Sequence, residues 1–378
     1  MHAIRCKLSA SLAGWVVLCP GLLASVSPAA YAAPPASAPS IETSVSKGFA
    51  YLRATQEKDG SWSHYPAITA LALAAFLRNG KTEVTEPAVA KGVQFILRAA
   101  KPSGAIYTAG NPAMELPNYN TCLCLMALTA TRNPNYRPII RKAQAFLETS
   151  QFDDGENIKP SDATYGGIGY GADPDDHPDL GNLSTALQAL HESGVPANAA
   201  VFKKAIVFIQ RVQNRKETND QAWAKTGSGD GGFVYDSTGE SKITNATGGA
   251  THTSMGTMTY AGLESYIYAG VDKNDPRAKA AYNWIRGHYN VKEHPGMGDT
   301  SLYYYFHTMS KTLDVYGASV LKDTTGKAHN WAQDLSAEII RRQHPDGSWY
   351  STNSKYWENQ PGLVTSYSLI ALAYCRKK

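Results

Sequence analysis

Cysteine is scarce in this chain: five residues in 378, two of which, Cys6 and Cys19, stand in an N-terminal stretch that reads as a leader. Cys122 and Cys124 lie two apart on one expected helix and cannot face each other, so at most one disulfide, to Cys375, is open to the mature chain. A disulfide scaffold is excluded. Charge of one sign is also missing, with 36 Lys and Arg against 32 acids and a net charge of +4. Because Arg5 and Lys7 belong to the leader, the remainder is closer still to neutral, and nothing in it supports nucleic-acid binding. No segment after the leader is apolar enough to span a bilayer. With 43% hydrophobic and 18% charged residues the composition is globular, which excludes disorder and collagen-like repetition.

The leader itself has a basic start, an apolar stretch from Leu8 to Val26, and Ala30-Tyr31-Ala32 with small residues at both cleavage-recognition positions. Residues 1–32 are therefore expected to direct export to the periplasm or the extracellular space, with cleavage after Ala32. Pro20 interrupts the apolar stretch and argues against a retained anchor, and the bulky Leu18 before Cys19 argues against lipoprotein attachment. Residues 33–44 read as a flexible lead-in and 45–378 as one domain.

From there on one event recurs six times: an amphipathic helix, a Gly/Asp/aromatic turn, a more apolar helix, and a polar break. First helices are expected near Val45, Val89, Ile139, Val201, Ala278 and Trp331, at uneven spacing. Second helices are expected at Ile68–Gly80, Asn120–Thr131, Asn182–Gly194, Thr257–Gly270, Leu302–Gly317 and Leu363–Cys375. The second helices carry apolar and small residues on most faces, as a helix buried on all sides does, whereas KGFAYLRATQ and its counterparts have a charged outer face. The pattern predicts an all-α fold, a single α/α toroid of six helical hairpins with the second helices as the inner ring. An open solenoid is the alternative, but it would keep a constant repeat length and capped ends.

The run from Lys47 through Gln56, Asp59, Gly60 and Ser61 to Trp62 resembles, position by position, the glutamine-tryptophan repeat of squalene and oxidosqualene cyclases. Gln343-His344-Pro345-Asp346-Gly347-Ser348-Trp349 repeats its second half, and looser copies lie around Gln151 and Gln213. The sequence thus resembles the terpenoid cyclase and protein prenyltransferase β-subunit superfamily, in an exported bacterial form. That resemblance implies the toroid but no particular chemistry, because these elements are structural. Physically, Gln56 is expected to cap its own helix while Trp62 closes over the turn.

Two catalytic signatures associated with the resemblance are incomplete. Protonating cyclases open an inner helix with Asp-x-Asp-Asp, whose middle acid donates the proton. That string occurs at Asp173-Pro174-Asp175-Asp176, in a turn-like loop, but the matching register is Asp179-Leu180-Gly181-Asn182, with Gly181 where the donor belongs. In that register Asp179 is most simply a helix N-cap. Prenyltransferases use zinc held by Asp-x-Cys on one inner helix and His on the next; His307 matches the latter, yet Met255-Gly256-Thr257 replaces the former. No metal and no cofactor are expected.

Three candidate catalytic residues remain, Asp179, His252 and His307, each near the mouth or upper part of an inner helix. Tyr119, Asn120, Asn182, Tyr260, Tyr303 and Tyr304 are candidate substrate-binding residues around the same central cavity. Tyrosines over an apolar barrel suit a long hydrocarbon with one polar end and can stabilise a cation. The expected partner is an apolar, isoprenoid-like small molecule or lipid, with room for peripheral membrane contact, bound and in the isomerase or transferase sense transformed. The alternatives are an exported carbohydrate-active toroid, which would need paired carboxylates, and a noncatalytic interaction scaffold.

Overall fold

Ser40 accepts the N–H of Thr43 with its hydroxyl and so caps α1 (Ile41–Ala54). The first helix therefore starts ahead of Val45 and takes in the end of the expected lead-in. The computed structural model describes residues 39–377, apart from 112–113, 172–175 and 244–251. The expected leader and Asp173 to Asp175 lie outside the described residues.

Proline sets several helix starts. α2 (Pro66–Arg78), α4 (Pro117–Ala130) and α12 (Pro361–Cys375) open on a proline, which has no N–H to leave unpaired in the first turn. Each consequently starts slightly before its expected boundary. The other second helices are α6 (Leu180–Glu192), α8 (Gly256–Tyr268) and α10 (Leu302–Tyr316). The remaining first helices are α3 (Pro87–Ala99), α5 (Arg137–Thr149), α7 (Ala200–Arg211), α9 (Pro276–Gly287) and α11 (Trp331–Arg341). Besides these, the described residues contain a single pair of two-residue strands, β1 (Leu321–Lys322) and β2 (Ala328–His329), paired antiparallel.

The even-numbered helices close on themselves: α2 packs on α4, α4 on α6, α6 on α8, α8 on α10, α10 on α12, and α12 back on α2. Each odd-numbered helix lies outside this ring, and α1 meets α11 and α12 where the last repeat joins the first. The result is the all-α toroid that the repeats predict.

The glutamines hold neighbouring repeats in a way that differs from the expected cap. Gln56 donates from Nε2 to the carbonyls of Gly60 in its own turn, at 2.9 Å, and of Ala88 in the next outer helix, at 2.8 Å. Gln151 does the same with Gly166 and Val201, Gln213 with Gly231 and Arg277, and Gln343 with Gly347 and Ser44. A carbonyl on each side of the seam is thereby satisfied by one amide, so α1 is stapled to α3, α5 to α7 and α7 to α9, and Gln343 staples α11 to α1. Glycine is required in these turns. Gly347 has φ +92°, and a Cβ there would stand 2.5 Å from the Lys47 carbonyl oxygen. Cys122, Cys124 and Cys375 are free and buried, so the disulfide left open by the sequence is not formed.

Candidate functional site

Helical periodicity decides which inner-ring side chains meet the barrel axis. On α10 the stripe is Tyr304, His307 and Lys311; on α12 it is Leu363, Tyr367, Ile370 and Tyr374; on α2, Ile68, Leu71, Ala74 and Arg78. Tyr304, Leu363, Tyr367, Ile68 and Leu71 of these stripes border a cavity of about 260 Å³ at one end of the axis. Ala67, Leu71, Leu116, Met255, Met258 and Leu363 give it apolar walls, and Tyr65, Tyr119, Tyr170, Tyr235, Tyr304 and Tyr367 an aromatic lining. Tyr356, Trp357, Lys242 and Met297 stand at its exposed rim, where the Trp357 ring lies 5.9 Å from that of Tyr65.

Asp179 is the one acid among the described lining residues. It is the N-cap of α6, as its position predicts: one carboxylate oxygen accepts the N–H of Asn182 at 2.9 Å, and the other accepts Asn182 Nδ2 at 2.6 Å. Its backbone pairs with Asp236, and the Tyr235 carbonyl accepts the N–H of Leu180, so the long insertion of the fourth repeat lies directly against this helix start. That pairing brings the Tyr235 hydroxyl to the Asp179 carboxylate, and Tyr170, from the loop before α6, hydrogen-bonds Asn182. Burial pushes the Asp179 carboxyl up to about 6, against hydrogen bonds from Asn182 and Tyr235 that favour its charged form. A carboxyl poised there exchanges protons near neutral pH. Gly181, in the register of the cyclase donor, lies beside it: a Cβ there would be 3.1 Å from Asp179 Oδ1 and 4.0 Å from the Tyr304 hydroxyl.

Of the residues expected from the sequence, Asp179, Asn182, Tyr119 and Tyr304 line this cavity together. His307 lies deeper on the axis, its ring 5.0 Å from that of Tyr367, and burial depresses its pKa far below the usual imidazole value, so it is neutral. The others are elsewhere. His252 stacks on Trp223 and donates from Nδ1 to the Gly239 carbonyl, which holds the insertion loop together. Tyr260 packs edge-on against Tyr305, and Tyr303 edge-on against Phe306; one helical step from Tyr304 turns Tyr303 toward the outer ring. Asn120 acts indirectly: its Oδ1 accepts the N–H of Ala67 at 2.9 Å and its Nδ2 donates to the Tyr65 hydroxyl at 3.2 Å, which fixes a wall residue. Asp176 accepts the N–H of Gly171 at 2.6 Å, a turn role.

Sequence reasoning missed Tyr65, Tyr170, Tyr235, Tyr367, His294 and Glu358. The α12 heptad stripe could have singled out Tyr367. Tyr170 and Tyr235 come from loops, for which periodicity gives no signal. His294 donates from Nδ1 to the Thr300 carbonyl and accepts at Nε2 from the N–H and hydroxyl of Thr257, capping α8 in place of the missing side-chain cap. Burial lowers its pKa to about 4.

Glu358 plays the same part for α10, whose start at Ser301 has a left-handed backbone and no side-chain cap. Its carboxylate accepts the N–H of Tyr304 at 2.9 Å, and the N–H groups of Leu302 and Tyr303 face it as well. Burial nevertheless raises its pKa to about 7. A folded pKa above the unfolded one means that the native state holds more protons between about pH 4 and pH 7, so stability falls as pH rises through that window. Asp179 acts in the same sense up to about 6, while His294 contributes stability that is lost as pH falls toward about 4. Glu358→Gln is therefore expected to flatten the decline in urea stability between about pH 5 and pH 8 by roughly 3 kcal/mol. An unchanged slope would remove Glu358 as its source.

Among the described residues no three His, Cys, Asp or Glu side chains gather as a metal site would require, and no helix is long and apolar enough to cross a membrane. Residues 65–227 match the family described as squalene-hopene cyclase C-terminal domain. No curated protein sequence is significantly similar to the chain. Among solved structures, a variant of the type II terpene cyclase MstE from Scytonema, in complex with its substrate geranylgeranyl dihydroxybenzoate, superposes with a TM-score of 0.55 at 12% identity, over 89% of this chain and 97% of that one. The GH76 α-mannanase BT2949 of Bacteroides thetaiotaomicron gives 0.57 at 12% identity over 90% and 98%. A D-mannose isomerase gives 0.55 at 12% over 91% and 100%. At such identities these likenesses concern the fold. The matched stretch runs from the turn before α2 past α7, through the helices that carry Tyr65, Tyr119 and Asp179; over it the sequence is similar to squalene-hopene cyclases, and the whole chain shares the α/α-toroid fold of the type II terpene cyclase.

Proposed function

We propose that the chain holds an isoprenoid or similarly long apolar molecule in the axial cavity and that Asp179 is the group that exchanges a proton with it. The observation that carries this reading is a single buried carboxyl, raised to about 6, in a cavity whose described walls are mostly apolar side chains and aromatic rings. A protonated carboxylic acid in such surroundings can add its proton to an electron-rich double bond, and tyrosine faces stabilise the cation that results. Tyr235 and Asn182 orient the carboxyl and can receive the returning charge as hydrogen-bond donors. The chemistry is of the isomerase class and requires no metal or cofactor.

The mannan- and mannose-directed neighbours share the fold, so the fold alone does not choose between lipid and sugar. Glycoside hydrolysis requires two carboxyl groups at a set separation, and the described lining offers one. The proposal includes export, directed by residues 1–32, so that the protein would meet its ligand at or beyond the membrane.

Asp179→Asn tests the assignment. Asn caps helices about as well as Asp, so the variant should melt within about 1 kcal/mol of the parent. Conversion of a linear polyprenyl substrate should drop on the order of 10²–10⁴-fold. Parent-level conversion by a folded Asn variant would overturn the role given to Asp179.

A further inference from the structure

A second, smaller cavity of about 40 Å³ lies on the axis directly below the first, and the two share Leu71, Tyr119, Tyr304 and Tyr367 as a common wall. The three tyrosines form a layer across the barrel: the Tyr119 and Tyr367 hydroxyls are 3.5 Å apart, and the Tyr304 and Tyr367 rings 5.7 Å. Above the layer Asp179 and Asn182 stand at one side of an otherwise largely apolar and aromatic wall. Below it Ala74, Leu123, Met126 and Ile370 share the lining with buried polar groups: Gln188 accepts from Lys311 at 2.9 Å, Arg78 pairs with Glu192 at 2.8 Å, and the buried Nδ1 of His307 has no partner.

We propose that Tyr119, Tyr304 and Tyr367 are the specificity-determining floor of the site, fixing the length of the apolar chain it accepts. The inference rests on the apolar-ligand reading above and adds to it a limit on the substrate class. A hydrocarbon that fills the upper cavity ends against three aromatic rings. One that pushes past them enters a space no larger than a few water molecules and strips solvation from the Lys311, Gln188 and His307 groups without replacing their hydrogen bonds, which is unfavourable. The floor therefore separates chains by length through both bulk and polarity.

The test uses the purified mature protein and a graded series of linear prenyl alcohols, geraniol, farnesol, geranylgeraniol and a longer polyprenol, with dissociation constants read by tryptophan fluorescence. The wild-type chain should show a length optimum beyond which affinity falls. Tyr367→Ala should move that optimum upward by about one isoprene unit and improve the longest alcohol at least tenfold relative to the shortest. Tyr119→Ala should do the same and serves if the first variant melts early. Tyr367→Phe keeps the ring and should keep the wild-type optimum. Binding that does not depend on length, or folded Ala variants with an unmoved optimum, would overturn the floor alone; no binding of any alcohol by the wild-type chain would overturn the apolar-ligand reading beneath it.

Discussion

Trp349→Ala is expected to lower the unfolding free energy by about 3–5 kcal/mol. The ring is fully buried in the turn between α11 and α12, where the sixth repeat meets the first. Its Nε1–H donates to the Ile339 carbonyl at 2.7 Å, and its backbone N–H to the Thr365 hydroxyl at 3.0 Å, so one residue links the outer helix, the turn and the inner helix. Across the closing seam α1 approaches so tightly that a Cβ on Gly48 would lie 2.9 Å from the indole. Truncation would leave a cavity that neither rigid helix can collapse into, together with an unpaired carbonyl. Trp349→Phe retains most of the buried ring and should cost only about 1–2 kcal/mol, mainly the lost hydrogen bond. Urea unfolding of both variants reads the difference. An Ala variant within about 1 kcal/mol of the parent would mean that the ring closure does not depend on this seam.

Lys311→Met is expected to be comparably damaging, at about 3–5 kcal/mol, for an electrostatic reason. Lys311 and Glu264 are buried side by side on facing inner helices, 3.1 Å apart, and the Thr312 hydroxyl donates to the same carboxylate at 2.9 Å. Burial already holds the Glu264 pKa above its ordinary value, and the Lys311 ammonium is the main group opposing that rise. Without the lysine, Glu264 must either remain charged and unpaired or take up a proton, so the variant should recover part of its loss as pH falls. Replacing both residues, Lys311→Met with Glu264→Leu, removes the two charges together and should restore most of the stability, since a buried ion pair contributes little over well-packed apolar residues. A double-mutant cycle measures the coupling. If the double variant is as unstable as the sum of the single ones, the two side chains are not acting as a pair.

The fold was legible because its signals are local and repeated. A buried helix reads as apolar on every face and an outer helix as amphipathic, and six occurrences of that pair, with Gln, Gly and an aromatic residue in the turns of the first and last repeats, leave few architectures open. Gln56 shows where local reading stops. Its neighbourhood suggests a helix cap, whereas its second partner, the Ala88 carbonyl, lies in the next repeat and cannot be inferred from the motif alone.

The site divides along the same line. Asp179 was found because register and capping chemistry both act within one turn of helix. Tyr303 and Tyr304 are adjacent in sequence and chemically alike, yet the helical rotation between them sends one to the outer layer and the other to the axis. His252 was expected at the cavity because it precedes an inner helix, but Trp223, from the same long insertion, offers its ring a packing face and draws it away. Tyr235 and Glu358 carried no pattern at all: each matters through a contact made by a loop folding back on a distant helix start, Tyr235 on α6 and Glu358 on α10.

The central claim, that the axial cavity takes a long apolar ligand, is tested most directly by mass spectrometry of an organic extract from the protein purified from its native compartment. The account predicts an isoprenoid or similarly apolar species present in near-stoichiometric amount and depleted in Tyr119→Trp, whose larger ring would intrude on the shared wall of the cavity. An oligosaccharide in its place, or an apolar ligand retained equally when the cavity is filled, would contradict it.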